Sequence, residues 1–133
     1  MAETDQFGVA PHTDYGCITL LYQDNSGGLQ VRELATNSWI DATPIEGILV
    51  VNVGDLLARW SNDRFRSTLH RVINKSGHER YSIATSYGPT YSAMVDPCDL
   101  GIDAGASLYP AVAAGDYILK RMDDSMAYRK NAQ

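Results

Sequence analysis

The chain has 133 residues, one domain's worth. At 44% hydrophobic and 20% charged it has an ordinary globular composition, which excludes a disordered acidic tail, a collagen-like repeat and a disulfide-dense mini-protein. The formal charge of −5, from 11 Lys plus Arg against 16 Asp plus Glu, offers no broad basic face, so neither nucleic acid nor an anionic membrane is expected as a partner.

Cys17 and Cys98 lie far apart with no metal-ligand spacing, which suggests a reducing, cytoplasmic setting and leaves a single disulfide open. The first residues are acidic and polar, with no apolar core of a signal peptide. The longest apolar run, residues 48–51, is far too short to cross a bilayer.

Residues 17–22 form a compact run rich in apolar and β-branched side chains, closed by the turn cluster Asp24-Asn25-Ser26-Gly27-Gly28. Residues 29–34 alternate apolar and polar, residues 39–43 are short and strand-like, and turns are expected at 36–38 and 44–47. Residues 48–53 are the most hydrophobic strand, broken by Gly54-Asp55, after which 56–60 reads as either a strand or one helical turn. Residues 67–74 and 80–87 read as two further strands joined by a loop at 75–79. This rhythm of short strands and turns predicts an all-β sandwich or barrel. Residues 91–110 read as irregular, and 116–130 as a helix with Ile118, Met122 and Met126 on one face and Asp116 capping its start. Tyr22, Trp60 and Phe65 are expected in the core, and His78 on the surface.

His12 and Asp14 stand one residue apart in Pro11-His12-Thr13-Asp14. In an extended segment both side chains project from one face. An imidazole and a carboxylate so placed are half of a metal site, and His70, in an apolar strand, is the obvious third ligand. Two histidines and one carboxylate on one side of an ion are the facial triad of non-heme Fe(II) oxygenases, which leaves coordination positions open where a structural zinc site would close them. In Arg80-Tyr81-Ser82 the guanidinium and the hydroxyl share a face and suit a carboxylate. The charges of Fe(II), Asp14, an oxo-diacid and Arg80 cancel, which avoids burying an uncompensated charge. Asn52 and Asp55 read as structural, at a strand end and its turn, and Gln23 as facing either the pocket or a turn.

Six motifs then occur in order: His12-Thr13-Asp14, Gly27-Gly28-Leu29-Gln30-Val31, Asn52-Val53-Gly54-Asp55, Trp60-Ser61-Asn62, Ser67-Thr68-Leu69-His70-Arg71-Val72 and Arg80-Tyr81-Ser82-Ile83-Ala84. Together they resemble the 2-oxoglutarate- and Fe(II)-dependent dioxygenase superfamily, in its isopenicillin N synthase-like branch. The resemblance runs from about Phe7 to Tyr91, with a weaker echo through Tyr109-Pro110 and residues 114–118.

The resemblance implies a mostly β, double-stranded β-helix (jelly-roll) fold with a C-terminal helix near the active-site mouth. It implies a dioxygenase domain over residues 1–110 and a helix and tail over 111–133. It carries over His12, Asp14 and His70 as iron ligands, and Arg80 and Ser82 as the clamp for the distal carboxylate of 2-oxoglutarate. The expected cofactor is Fe(II), with 2-oxoglutarate and O2 as co-substrates. The expected reaction is hydroxylation or desaturation of a small molecule, coupled to formation of succinate and CO2.

Relatives of this branch carry a long segment before the H-x-D motif, whereas eleven residues precede His12 here. The chain is therefore expected to be a fragment or a short member lacking the first jelly-roll strands. Its bare strand edges would invite self-association or pairing with a missing N-terminal segment. Three other readings stay open: a non-catalytic fragment or binding module, a cupin-like metal hydrolase or isomerase, and a related oxidase that uses no 2-oxoglutarate.

Overall fold

The computed structural model describes residues 7–131. In chain order the strands are β1 (Val9–His12), β2 (Ile18–Gln23), β3 (Leu29–Arg32), β4 (Trp39–Asp41) and β5 (Val50–Val53), then helix α1 (Asp55–Trp60), β6 (His70–Val72), β7 (Ser82–Tyr87), β8 (Met94–Val95), β9 (Val112–Ala113) and helix α2 (Ala114–Asn131). They build a four-stranded sheet in the order β1-β6-β3-β4 and a three-stranded sheet in the order β5-β2-β7, with β8 and β9 as a small third pair. Every pairing is antiparallel. Mostly β with a C-terminal helix, this is the expected class.

Two features of the sheets aim the site. In the first sheet His12 of β1 lies directly opposite His70 of β6, while Val9 lies opposite Val72, so β1 carries one residue more than its partner between these pairs. In the second sheet β2 runs down the middle, and strand alternation sorts its side chains onto two faces. Ile18, Leu20 and Tyr22 share one face with Val51, Ile83 and Tyr87, and Thr19, Leu21 and Gln23 share the other with Asn52, Ser82 and Ser86. The first face is apolar and open to solvent: Val51 is 61% and Ile83 66% exposed. Tyr22, expected in the core, belongs to this open face, and Phe65 is exposed as well.

The buried centre lies elsewhere. Leu56 of α1, Val95 of β8 and Ala114 of α2 are fully buried, with Cys17, Trp60, Val112, Tyr117 and Ile118 packed around them. The stretch read as irregular thus supplies a core strand, together with two short 3-10 turns at Pro97–Leu100 and Ala104–Ala106. Residues 56–60 resolve as helix, with Leu56 turned into that core and Ala58 buried as well. Helix α2 starts two residues before Asp116, which sits in the first turn and accepts a hydrogen bond from the Tyr91 hydroxyl. Of its expected apolar face Ile118 reaches the core, while Met122 and Met126 remain exposed.

Cys17 and Cys98 are free thiols, and burial pushes the Cys17 thiol pKa up. No helix among the described residues is long and apolar enough to cross a membrane.

Leu56→Ala is expected to cost about 2–5 kcal/mol, the usual range for emptying a filled core site. Ile83→Lys on the open face is expected to cost less than about 0.5 kcal/mol. Urea unfolding monitored by the Trp60 environment checks both, and comparable losses at the two positions would misplace the core.

Candidate metal centre

The segment after β1 turns sharply, and helix α1 holds the turn. Its first backbone N–H groups, which have no partner inside a helix, donate to carbonyls of the turn instead. Asp55 N–H donates to Asp14 O at 2.7 Å, and Leu56 N–H to Gly16 O at 3.0 Å. This approach requires glycine at position 54, where a Cβ would stand 2.2 Å from Gly16 O and 3.0 Å from Asp14 O. Asn52-Val53-Gly54-Asp55 is therefore a device for pinning the backbone of Asp14.

Three potential ligands converge at this turn. One donor atom each of His12, Asp14 and His70 lies within 4.8 Å of the others. Asp14 Oδ1 faces both imidazoles, 3.6 Å from His12 Nε2 and 3.7 Å from His70 Nε2. These separations exceed hydrogen-bonding distance, as three donors gathered about a common ion require. His12 Nδ1 lies 2.8 Å from Ala10 O and His70 Nδ1 lies 3.1 Å from Thr68 O. An Nδ1–H donated to a carbonyl leaves the Nε2 lone pair free for a metal.

The outer carboxylate oxygen is held in turn: Asn52 Nδ2 donates to Asp14 Oδ2 at 2.8 Å. Burial pushes the Asp14 pKa up, but the hydrogen bonds from Asn52 and Thr19 and the two nearby imidazoles outweigh it and hold the group below the ordinary carboxylate range. The donor set, two imidazoles with free Nε2 and one ionised carboxylate with one free oxygen, fits a divalent first-row metal and leaves its other positions to small ligands. His12 and Asp14 border a cleft of about 550 Å³ whose other walls include Tyr15, Ser86, Tyr87 and Ile118.

Arg80 stands at the far end of the same sheet face. Its Nη1 donates to Ser82 Oγ at 3.1 Å, its Nη2 to Gln23 Oε1 at 3.3 Å and its Nε to Gly27 O at 2.7 Å. Gly27 and Gly28 take positive φ, 71° and 87°, in the turn that presents that carbonyl. Arg80 precedes β7 rather than lying in it, yet its guanidinium meets Ser82 as the alternation argument expects. Among the described residues it forms no ion pair with a carboxylate. Thr19, which supports Asp14, and Gln23, which supports Arg80, are four residues apart on one strand, about 13 Å at the usual rise.

Sequence reasoning missed the roles of Thr19 and Asn52 beside Asp14 and treated Gln23 as an even choice. The period-two pattern of β2 was the available signal, since it puts Thr19 and Gln23 on one face.

The family model for the 2OG-Fe(II) oxygenase superfamily matches residues 2–89, and the chain belongs to that family. It is 58% identical over 76 residues to the 2-oxoglutarate-Fe(II) type oxidoreductase hxnY of Emericella nidulans, a match spanning 57% of this chain and 22% of the relative. It is 37% identical over 130 residues to a homoarginine-6-hydroxylase of Arabidopsis thaliana, covering 92% of this chain and 39% of that protein. A full-length Neurospora crassa protein, solved in complex with alpha-KG, superposes with a TM-score of 0.83 at 41% identity, over 92% of this chain and 39% of its own. The chain thus spans between about a fifth and two fifths of these relatives' length, and the fold is the corresponding portion of a jelly roll.

Asn52→Ala removes one of the supports of the ionised Asp14. A carboxylate with a depressed folded pKa adds stability above its unfolded pKa and loses it as pH falls through the folded value. The Asp14 midpoint is therefore expected to rise in Asn52→Ala, and the stability it adds at neutral pH to shrink. Carboxyl NMR titration of the metal-free chain reads the midpoint, and an unmoved value would remove Asn52 from the site.

Proposed function

We propose that this chain carries the metal and co-substrate machinery of a 2-oxoglutarate-dependent Fe(II) dioxygenase that hydroxylates or desaturates a small molecule. In this reading residues 1–110 are the jelly-roll unit and 111–133 its helix and tail. The observation that carries the proposal is the convergence of His12, Asp14 and His70, with Nε2, Oδ1 and Nε2 left free, at one end of a cleft.

His12, Asp14 and His70 would hold Fe(II). Iron held there would supply the O2 chemistry that couples oxidative decarboxylation of 2-oxoglutarate, giving succinate and CO2, to oxidation of the substrate. The chain's own residues do the positioning. Asn52 and Thr19 keep Asp14 ionised, and Asn52, bonded to Oδ2, leaves Oδ1 to the metal. Arg80 and Ser82 receive the distal carboxylate of 2-oxoglutarate, and Gln23 and the Gly27 carbonyl hold the guanidinium in place. A preset guanidinium with no carboxylate partner among the described residues suits an anion that arrives with the ligand. Ser86, Tyr87 and Ile118 border the space left for the substrate. Named relatives support a small-molecule substrate: homoarginine-6-hydroxylases among the sequences, and the Neurospora crassa protein in complex with thymine among the structures.

Anaerobic addition of Fe(II) and 2-oxoglutarate to the purified chain is expected to give a weak visible charge-transfer band, absent in His12→Ala and His70→Ala. Arg80→Leu is expected to weaken 2-oxoglutarate binding about ten- to hundredfold, the effect of losing a charge-assisted hydrogen bond, with iron affinity nearly unchanged. Equal 2-oxoglutarate affinity in Arg80→Leu and the parent would refute the clamp. Iron-dependent succinate formation separates this reading from a non-catalytic module.

A further inference from the structure

Thr13, the middle residue of the ligand turn, is engaged by a group from the far end of the chain. Arg121 of α2 donates from Nε and Nη2 to Asp55 Oδ2, at 3.1 and 3.0 Å, and from Nη2 to Thr13 Oγ1 at 3.2 Å. Thr13 Oγ1 itself donates to Asp55 Oδ2 at 3.2 Å. The Arg121 guanidinium also lies 5.1 Å from the Tyr15 ring centre, within cation–π range. Side chains from α1 and α2 thus close a ring around the turn.

We propose that Arg121 is a positioning residue for the metal centre: it locks Thr13 through Asp55 and so sets the relative placement of His12 and Asp14. The inference rests on the reading of His12, Asp14 and His70 as metal ligands.

The physical case has three parts. First, the Asp55 side chain is only 12% exposed, and Arg121 is its one ion-pair partner among the described residues. A carboxylate in that setting needs its counter-charge, so removing the guanidinium leaves Asp55 to find water or another partner. Second, Asp55 grips the turn twice, with its backbone N–H on the Asp14 carbonyl and its carboxylate on the Thr13 hydroxyl. Any movement of Asp55 is therefore passed to both. Third, Thr13 lies between the two ligands, so rotation of its backbone swings His12 and Asp14 relative to each other. Arg121 touches none of the donor atoms. It acts through Asp55 and Thr13, which hold the backbone of the ligand turn, so its effect is expected at or below the low end of the about ten- to hundredfold that partners bonded directly to a ligand are worth in metal affinity.

A guanidinium suits the task because it spans two acceptors in one plane. Lysine could keep the charge beside Asp55 but not reach Thr13 in the same geometry.

The test is Mn(II) binding to the full chain by calorimetry, with the visible spectrum of the Co(II)-loaded chain as a readout of ligand geometry. Arg121→Gln is expected to weaken Mn(II) binding by up to about tenfold and to change the Co(II) spectrum, with Arg121→Lys intermediate. Thr13→Val deletes only the hydroxyl link, and keeps the proposal testable should Arg121→Gln fail to fold. It is expected to weaken Mn(II) binding in the same direction, and the double variant to lose less than the two single losses combined. Parent-like Mn(II) affinity and Co(II) spectrum in a folded Arg121→Gln or Thr13→Val, with binding abolished in His70→Ala, would overturn the role of Arg121 alone. Undiminished Mn(II) binding in His70→Ala would overturn the ligand assignment and this inference with it.

Discussion

The structure depends on the contact between the start of α1 and the turn that follows β1. Helix starts need acceptors for their free N–H groups, and here the carbonyls of Asp14 and Gly16 supply them. One set of hydrogen bonds therefore does two things. It completes a short helix whose Leu56 anchors the core, and it fixes the backbone from which Asp14 reaches toward two imidazoles. Gly54 makes the approach sterically possible. Packing and chemistry meet at that point, so a disturbance of the Leu56 cluster reaches the candidate ligands through a single turn of helix.

The second organising element is β2. Its inward face carries Thr19 beside Asp14 at one end and Gln23 beside Arg80 at the other. A stiff, twice-paired strand is a good ruler. It sets the spacing between the cluster of His12, Asp14 and His70 and the Arg80 guanidinium without any contact between the two. The same strand presents Ile18 and Tyr22 to solvent on its opposite side. The asymmetry gives β2 a polar working surface and an apolar back.

Much of this was legible in the sequence because the informative residues are scarce. With three histidines in the chain, His12 one residue from Asp14 and His70 within an apolar strand leave few other combinations. Arg80 and Ser82 were readable from alternation alone. Asn52 was not, since an amide at a strand end looks the same whether it closes a turn or steadies a carboxylate, and only the pairing of β2 with β5 tells them apart. Arg121 was hidden for a similar reason: helical periodicity drew attention to the methionines, which proved exposed, rather than to the charged residue on the turn side. The core also escaped. Val95 and Ala114 come from a two-residue strand and a helix start, segments too short to show any period. Tyr22 and Phe65 misled in the opposite direction, being large and apolar yet uncovered.

The extra residue in β1 carries a consequence of its own. A bulge re-aims the side chain that follows it, and a shift of one position in an antiparallel pair sends every later side chain to the opposite face. His12 meets His70 across β1 and β6 only because that residue is present. The count of amino acids between Val9 and His12 is thus as constrained as their identity, and a single codon lost or gained there would turn the imidazole away from its partner while leaving every side-chain type in place. Tolerance to insertion and deletion is accordingly low where the strand is least regular.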